Sequence, residues 1–363
     1  MKHDYLVVGA GLAGCVVAEQ LATRGQRTVL IVEKRDHIGG NCYDYYDRSG
    51  ILVHKYGPHI FHTNMRRVWE YLSQFTTWRH YHHRVLAYVD GMLVPIPISL
   101  DTINTLYGLN LSVAQLEEFL DARRQNTPGN NSAELVIGQV GEELYKKFFR
   151  GYSRKQWGMD PEMLDPSVCG RVSVRMNRDS RYFTDTYQGI PKHGYTEMIH
   201  RMVAHPNIRI LLKTDYKEII DSVSSDCVVY TGPIDYFFEY RHGKLPYRSL
   251  RFEFETLDKE FLQPVAQVNY PNDYDFTRIT EFKHLTGQSH TKTTVAYEYP
   301  TADGDPYYPI IAPDNLAAYE KYREEAERLE SVVFVGRLAE YRYYNMDVVV
   351  ARALETADKL LAR

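Results

Sequence analysis

The chain has 363 residues, 44% of them hydrophobic and 25% charged, with a formal net charge of -4. That length exceeds what one core usually holds, so two or three structural units of an ordinary soluble globular protein are expected. The slightly acidic balance leaves no broad basic field for a nucleic-acid backbone, so an anionic ligand must be gripped by local arginines.

In chain order, residues 4–8 (DYLVV) predict a buried parallel strand. Gly9-Ala10-Gly11-Leu12-Ala13-Gly14 follows, then a helix over 12–23 and a second strand over 28–32 ending at Glu33. Together these make a β-α-β unit. Residues 34–65, rich in Gly, His and Tyr, read as loop, and 66–75 as a short helix. Strands over 85–98 flank an Asp90-Gly91 turn, a hairpin signal. From about 100 to 157 the pattern is helical. Ser112 with Gln115 forms a capping-box signature, Asn131 with Glu134 resembles a second cap, and a third helical stretch covers 141–150. Gly151 and Ser153 suggest that this stretch ends there. Residues 171–175 alternate like a strand. Strands are expected over 250–256, 264–270, 277–284 and 292–299, and with no long helix between them they predict an antiparallel sheet. Residues 195–204 read as helix, and 208–212 and 227–230 as short strands. Strand 331–335 leads through Gly336 to a final helix from about Asp347.

Cys15, Cys42, Cys169 and Cys227 have no metal-ligand or redox spacing, so no metal site and free thiols in a reducing compartment are expected. The first apolar run enters the glycine motif directly, as a strand does and a secretory signal does not. No apolar stretch is long enough to cross a bilayer, which predicts a cytoplasmic protein without membrane insertion. Tyrosine is abundant, at 30 residues. A Tyr-rich core and surface, or a polar pocket lined by aromatics, would each account for it.

Gly9, Gly11 and Gly14 have the spacing a pyrophosphate needs: a tight turn, close backbone approach and close helix–strand packing. The helix N-terminus then aims free N–H groups at the anion. Glu33 stands where an acid binds ribose hydroxyls. Strand, helix and acid together weigh against a chance glycine-rich turn. Lys34, Arg35 and the pair Gly39-Gly40 with Asn41 follow, and Gly336-Arg337 precedes the last helix. A second glycine pair of this kind resembles the amine-oxidase-like flavoproteins, which favours FAD over NAD.

Phe148, Phe149, Tyr152, Ser153 and Trp157 lie in FFRGYSRKQWG (148–158). The segment alone favours a core aromatic stripe with a solvated basic face, with a stacked base beside its phosphates as the second reading. Arg171 and Arg278 fall in predicted strands, and two arginines can clamp a diphosphate through forked bonds. For either one alone, a surface position is the plainer reading.

Four segments carry a resemblance over essentially the whole chain: GPHIFHT (57–63), FFRGYSRKQWG, DPYYP (305–309) and GRLAEYRYYNMD (336–347). In order and separation they look like the signatures of prokaryotic UDP-galactopyranose mutases. The resemblance implies an α/β fold: an FAD-binding Rossmann-like domain with a helical insertion and a twisted antiparallel β-sheet domain. Residues 1–75, 190–233 and 306–363 are assigned to the first, 99–165 to the second, and 76–98, 166–189 and 234–305 to the third. It further implies a homodimer. In such enzymes N5 of reduced FAD attacks the anomeric carbon of UDP-galactopyranose and displaces UDP. The sugar opens as a covalent adduct, closes in the five-membered form, and UDP returns to give UDP-galactofuranose, with no net redox.

On this resemblance Arg171 and Arg278 stabilise the departing UDP. Phe148, Phe149, Tyr152, Ser153 and Trp157 hold the uridine part. Tyr182, Asn269, Tyr308, Tyr343 and Asn345 contact the diphosphate or sugar. The flavin is held by Gly9, Gly11, Leu12, Ala13, Gly14, Glu33, Lys34, Arg35, Gly40 and Asn41, by His59, Ile60 and His62, and by Gly336, Arg337, Tyr343, Asn345 and Met346. Three positions depart from the family pattern: Ser153 often corresponds to Thr, Asn345 to Asp, and His83 to Asn. Asn345 can still cap the last helix but removes a charge. The alternative from another class is an FAD-dependent oxidase or dehydrogenase of an amine or sugar. A third reading is a UDP-sugar binder without catalysis.

Overall fold

The computed structural model describes residues 2–170 and 172–362. Five parallel strands form one sheet in the order Ile208–Leu211, Val29–Val32, Lys2–Val8, Ser224–Tyr230, Val332–Phe334. Val29–Val32 and the second halves of Lys2–Val8 and Ser224–Tyr230 are apolar runs because both faces are covered there. Val7, Val29 and Ile31 pack beneath helices Leu12–Gly25, Tyr195–Val203 and Met346–Leu361. Leu6, Val8, Leu30 and Val32 face the other way, against Tyr216 and Tyr230. The period of two along each strand thus divides one core into two layers.

The second sheet has seven strands in the order Tyr308–Pro309, Tyr247–Leu257, Thr293–Thr301, Arg278–Glu281, Gln267–Asn269, Val85–Val89, Met92–Ile96. All neighbours are antiparallel except Gln267–Asn269 beside Val85–Val89. The expected hairpin is present. Asp90 and Gly91 both have positive φ, 51° and 79°, as a turn matched to strand twist requires.

In sequence a helical insertion follows strand Met92–Ile96 and separates it from the other strands of the seven-stranded sheet. The Ser112 box is made: the Gln115 N–H donates to Ser112 Oγ at 3.4 Å, and the Ser112 N–H to Gln115 Oε1 at 2.9 Å. Asn131 Oδ1 accepts from the Glu134 N–H at 2.9 Å. Leu116, Leu120, Val136 and Val140 pack against Val85 and Val94 of the hairpin, so the insertion rests on the seven-stranded sheet.

Four expectations are corrected. Residues 34–65 are not all loop: Asp44–Tyr46 pairs with Leu52–His54, and Phe61–Thr63 joins Tyr187–Pro191 and Trp78–His80 in a third sheet. The helix does not end at Gly151. A π-helical turn, Lys146–Arg150, runs into Gly151–Trp157 and stops at Gly158, whose φ is 66°. The glycine is there for close approach. A Cβ on Gly151 would lie 2.3 Å from Asn272 Oδ1 and 2.6 Å from the Pro271 carbonyl.

Residues 172–175 form no strand, and Arg171 lies outside the described residues. Val172 and Val174 do pack inward on the helical core. Arg175, however, turns into its own loop and donates to the carbonyls of Asp179 (2.9 Å), Arg181 and Tyr182 (3.1 Å). Finally, strand 277–284 stops at Glu281, where helix Phe282–Thr286 begins, and Pro313–Ala326 is an additional helix opened by its proline. The four cysteines are buried and unbridged. Among the described residues no helix is long and apolar enough to cross a membrane.

Candidate active site

Strands Lys2–Val8, Val29–Val32, Ser224–Tyr230 and Val332–Phe334 all end on one side of the parallel sheet, where ligands of such folds bind. A cavity of about 1480 Å³ opens there and runs on toward the seven-stranded sheet.

Its first half is built of glycine turns. Gly9 has φ 104°, and a Cβ on it would meet Thr231 Oγ1 at 2.2 Å. Gly11 is the extended N-cap of helix Leu12–Gly25, with no side chain bonded to the first-turn amides. Gly11, Leu12 and Ala13 of this turn line the cavity, an arrangement suited to an anion. Gly14 does not line the cavity. It lets the helix close on the turn, since its Cβ would sit 2.0 Å from the Gly9 carbonyl oxygen. Glu33 is pinned by the Ala10 N–H to Oε2 and the Arg35 N–H to Oε1, both 2.8 Å. Gly40 packs on Gly11 so closely that a Cβ would lie 2.9 Å from the Gly11 Cα. Arg35 donates to Asn41 Oδ1 at 3.0 Å and lies 4.4 Å over the Tyr56 ring.

The late glycine meets the early turn. Gly336 has φ 103°, and a Cβ there would touch Ala13 at 3.1 Å. Asn345 is the N-cap of helix Met346–Leu361 by position, but its side chain makes no capping bond, so that part of the sequence expectation is corrected. Cys42 and Met346 meet through sulfur at 3.5 Å. Leu12, Ala13, Lys34, Asn41, Ile60, Arg337, Asn345 and Met346 line the same cavity.

Three histidines form one wall. His59 is oriented by the Gly57 carbonyl (Nδ1, 2.9 Å) and burial lowers its pKa to about 3. His83 is likewise lowered to about 3 by burial. Both are neutral imidazoles at ordinary pH. His62 points Nδ1 at Asp185 Oδ2 (2.8 Å) and stacks on Phe183 at 3.6 Å.

The second half is aromatic around a half-buried cation. Arg278 opens its strand directly opposite Glu298, and Nη2 donates to Glu298 Oε1 at 2.7 Å. The Glu298 side chain is 3% exposed. Arg278 Nε is buried with no partner among the described residues. Burial works against the Arg278 charge, yet Glu298, Tyr152 and Tyr308 outweigh it and hold the pKa well above normal. Tyr308, Tyr343 and Trp157 form an edge-to-face group, with Tyr308–Tyr343 at 5.2 Å and Trp157–Tyr343 at 5.6 Å. Arg337 lies 5.1 Å over the Tyr308 ring. Tyr182 lines the cavity beside His83.

The structure therefore brings Arg278, Tyr152, Trp157, Tyr182, Tyr308 and Tyr343 together. Phe148 and Phe149 are placed in the helical core, and Ser153 is buried with its Oγ 3.4 Å from Cys169 Sγ. Asn269 lies opposite Arg278 in the next strand and accepts from Gln267 Nε2 at 2.8 Å, behind the cavity wall. Arg171 is outside the described residues. Glu298 and Gln267 were not singled out from sequence. Pairing the predicted strands 277–284 and 292–299 as neighbours would have placed an acid opposite Arg278.

Comparison with known proteins follows this geometry. A family model described as UDP-galactopyranose mutase matches residues 147–343, and one described as NAD(P)-binding Rossmann-like domain matches 7–75. A Klebsiella pneumoniae protein named "Probable UDP-galactopyranose mutase" is 41% identical over 99% of this chain and 95% of its own length. An Escherichia coli dTDP-fucopyranose mutase is 37% identical over 98% of this chain and 97% of its own. A crystal structure of reduced UDP-galactopyranose mutase superposes with a TM-score of 0.80 at 18% identity, covering 99% of this chain and 96% of that one.

Proposed function

The chain belongs to the UDP-galactopyranose mutase family, and we propose that it interconverts UDP-galactopyranose and UDP-galactofuranose with FAD bound in the reduced state. The single observation that carries this reading is Arg278. It is a half-buried guanidinium held by Glu298 through Nη2, and it lines the same cavity as the glycine turns.

The residues fit FAD better than a nicotinamide dinucleotide. The Gly40 turn packs on Gly11, Gly336 packs on Ala13, and a second helix N-terminus at Met346 faces the cavity. These additions extend the site beyond one βαβ unit. Reduced flavin, when bound, supplies an electron-rich nitrogen nucleophile for the anomeric carbon. The protein's part is position and charge. Arg278 meets negative charge as UDP leaves. The N-terminus of Met346–Leu361 favours an anionic ring system. His59, being neutral, adds no competing cation, and the aromatic group shields the reacting atoms from water.

The test is to incubate the dithionite-reduced protein with UDP-galactose and separate the isomers. An isomeric product without net oxidation is expected. In a separate arm with the oxidised flavoprotein, substrate oxidation with flavin reduction would support the oxidase reading, and UDP affinity without conversion by the reduced protein the binder reading. Because a relative acts on dTDP-fucopyranose, that nucleotide sugar belongs in a parallel arm. The homodimer implied by the family resemblance and the cytoplasmic location expected from the sequence are part of the same proposal, and light scattering tests the dimer.

A further inference from the structure

Helix Gly151–Trp157 carries Tyr152 beside Arg278 and Trp157 against Tyr308 and Tyr343, and between them stands Lys155. Its ammonium leaves the helix and enters the loop joining strands Gln267–Asn269 and Arg278–Glu281. There it donates to four backbone carbonyls: Tyr270, Asp273 (3.1 Å), Tyr274 (3.2 Å) and Phe276 (3.1 Å). An ammonium has three protons, so four oxygens around it are an ion's coordination rather than a set of directional bonds. The loop is shaped for it. Tyr274 is held at φ 59°, a conformation costly for a bulky side chain. The Tyr270 N–H closes the loop onto the Thr277 carbonyl at 2.8 Å. Burial lowers the Lys155 pKa to about 8, with Asp273 and Asp275 opposing the fall, as for a cation partly removed from water.

The same contact area shows no slack. Gly151 packs directly on Pro271 and Asn272, and Asn272 Nδ2 donates to the Lys147 carbonyl at 3.0 Å. On the helix's other end Arg248 donates to the Gln156 carbonyl at 2.9 Å and the Lys155 carbonyl at 3.2 Å. The loop is flanked immediately by Asn269 and Arg278. Whatever shapes it sets the distance between the half-buried guanidinium and the Tyr152–Trp157 group.

We propose that the loop 270–276 is a monovalent-cation site filled internally by Lys155, and that this residue positions Arg278 against the aromatic group of the UDP site. Lys155 touches no reacting atom in this assignment. It acts through the loop, and the use of UDP as readout rests on the proposed function.

The experiment compares wild type with Lys155→Ala, each as the flavin-loaded full chain. Kd for UDP and the melting temperature are measured in sodium, ammonium and ethylammonium chloride at equal ionic strength. In sodium the variant is expected to bind UDP about tenfold or more weakly, with its flavin content unchanged. Ammonium or ethylammonium is expected to restore most of the affinity and to raise the melting temperature of the variant but not of wild type. If the variant folds only when ammonium is present, that also supports the cation site. An unchanged Kd in sodium, or no recovery of fold or affinity in either ammonium salt, overturns it. Failure of wild type to bind UDP would instead count against the proposed function, while the ammonium dependence of the melting temperature would still judge the cation site.

Discussion

Removing Arg278 should do two separable things. Its partner Glu298 is 3% exposed at the side chain, so Arg278→Met leaves a carboxylate buried without its cation. Breaking a buried pair from one side costs about 3–5 kcal/mol of stability. The variant also loses the guanidinium that lines the cavity proposed to hold the diphosphate. One charge-assisted bond is worth about 1.5–3 kcal/mol, which is roughly ten- to 150-fold in Kd. The double variant Arg278→Met/Glu298→Gln removes the orphaned charge but does not recreate the donor. Urea melts should therefore show the double variant regaining most of the lost stability. Isothermal titration with UDP should show it remaining as weak as the single variant. Flavin absorbance after gel filtration should be unchanged in both. A single variant that binds UDP like wild type would refute the reasoning, and so would a double variant that regains affinity along with stability.

His54 and His83 are buried, and burial lowers their pKa values to about 4 and 3. Each is neutral when folded but takes up a proton when unfolded below its ordinary pKa. The stability they hold is therefore complete above about pH 6.5 and lost as pH falls toward the folded values. Each should forfeit about 2 kcal/mol by pH 5, and His83→Gln should lose correspondingly less stability between pH 7 and 5 in urea titrations. Gly40→Ala places a Cβ against Gly11 at a residue with φ 55°, so the purified variant should retain much less flavin, read from its absorbance ratio. Asp44 accepts the Tyr195 and Thr196 N–H groups at 2.6 and 2.9 Å and so caps helix Tyr195–Val203 from outside it. Asp44→Ala should cost about 1–2 kcal/mol in thermal or urea unfolding.

Features that depend on neighbours in sequence were legible. The glycine turn with its strand and helix, the Ser112 and Asn131 caps and the Asp90-Gly91 turn all needed only local spacing. What escaped was decided by distant partners. Gly151 reads as a helix breaker until Pro271 and Asn272 are seen against it, and then only glycine fits. Arg171 to Arg175 alternate like a strand, but at Arg175 three loop carbonyls outweigh the alternation. The short strands between 44 and 63 contain few residues each and take their form from pairing, which includes the remote segment Tyr187–Pro191. At the site, the strand bearing Arg278 was readable, while Glu298 became visible only once strand neighbours were known. Lys155 looked like part of a solvated basic face because nothing in its own segment names the loop that encloses it.

The helices Leu12–Gly25 and Met346–Leu361 pack side by side, and Arg24 and Arg67 both reach Asp358 at 2.6 Å. Their opening turns, drawn from the two ends of the chain, face the same cavity. During biosynthesis the first βαβ unit leaves the ribosome long before the segment that completes its cofactor seat. On the proposed function, a cofactor that needs both opening turns would be captured only after translation has passed the start of the last helix.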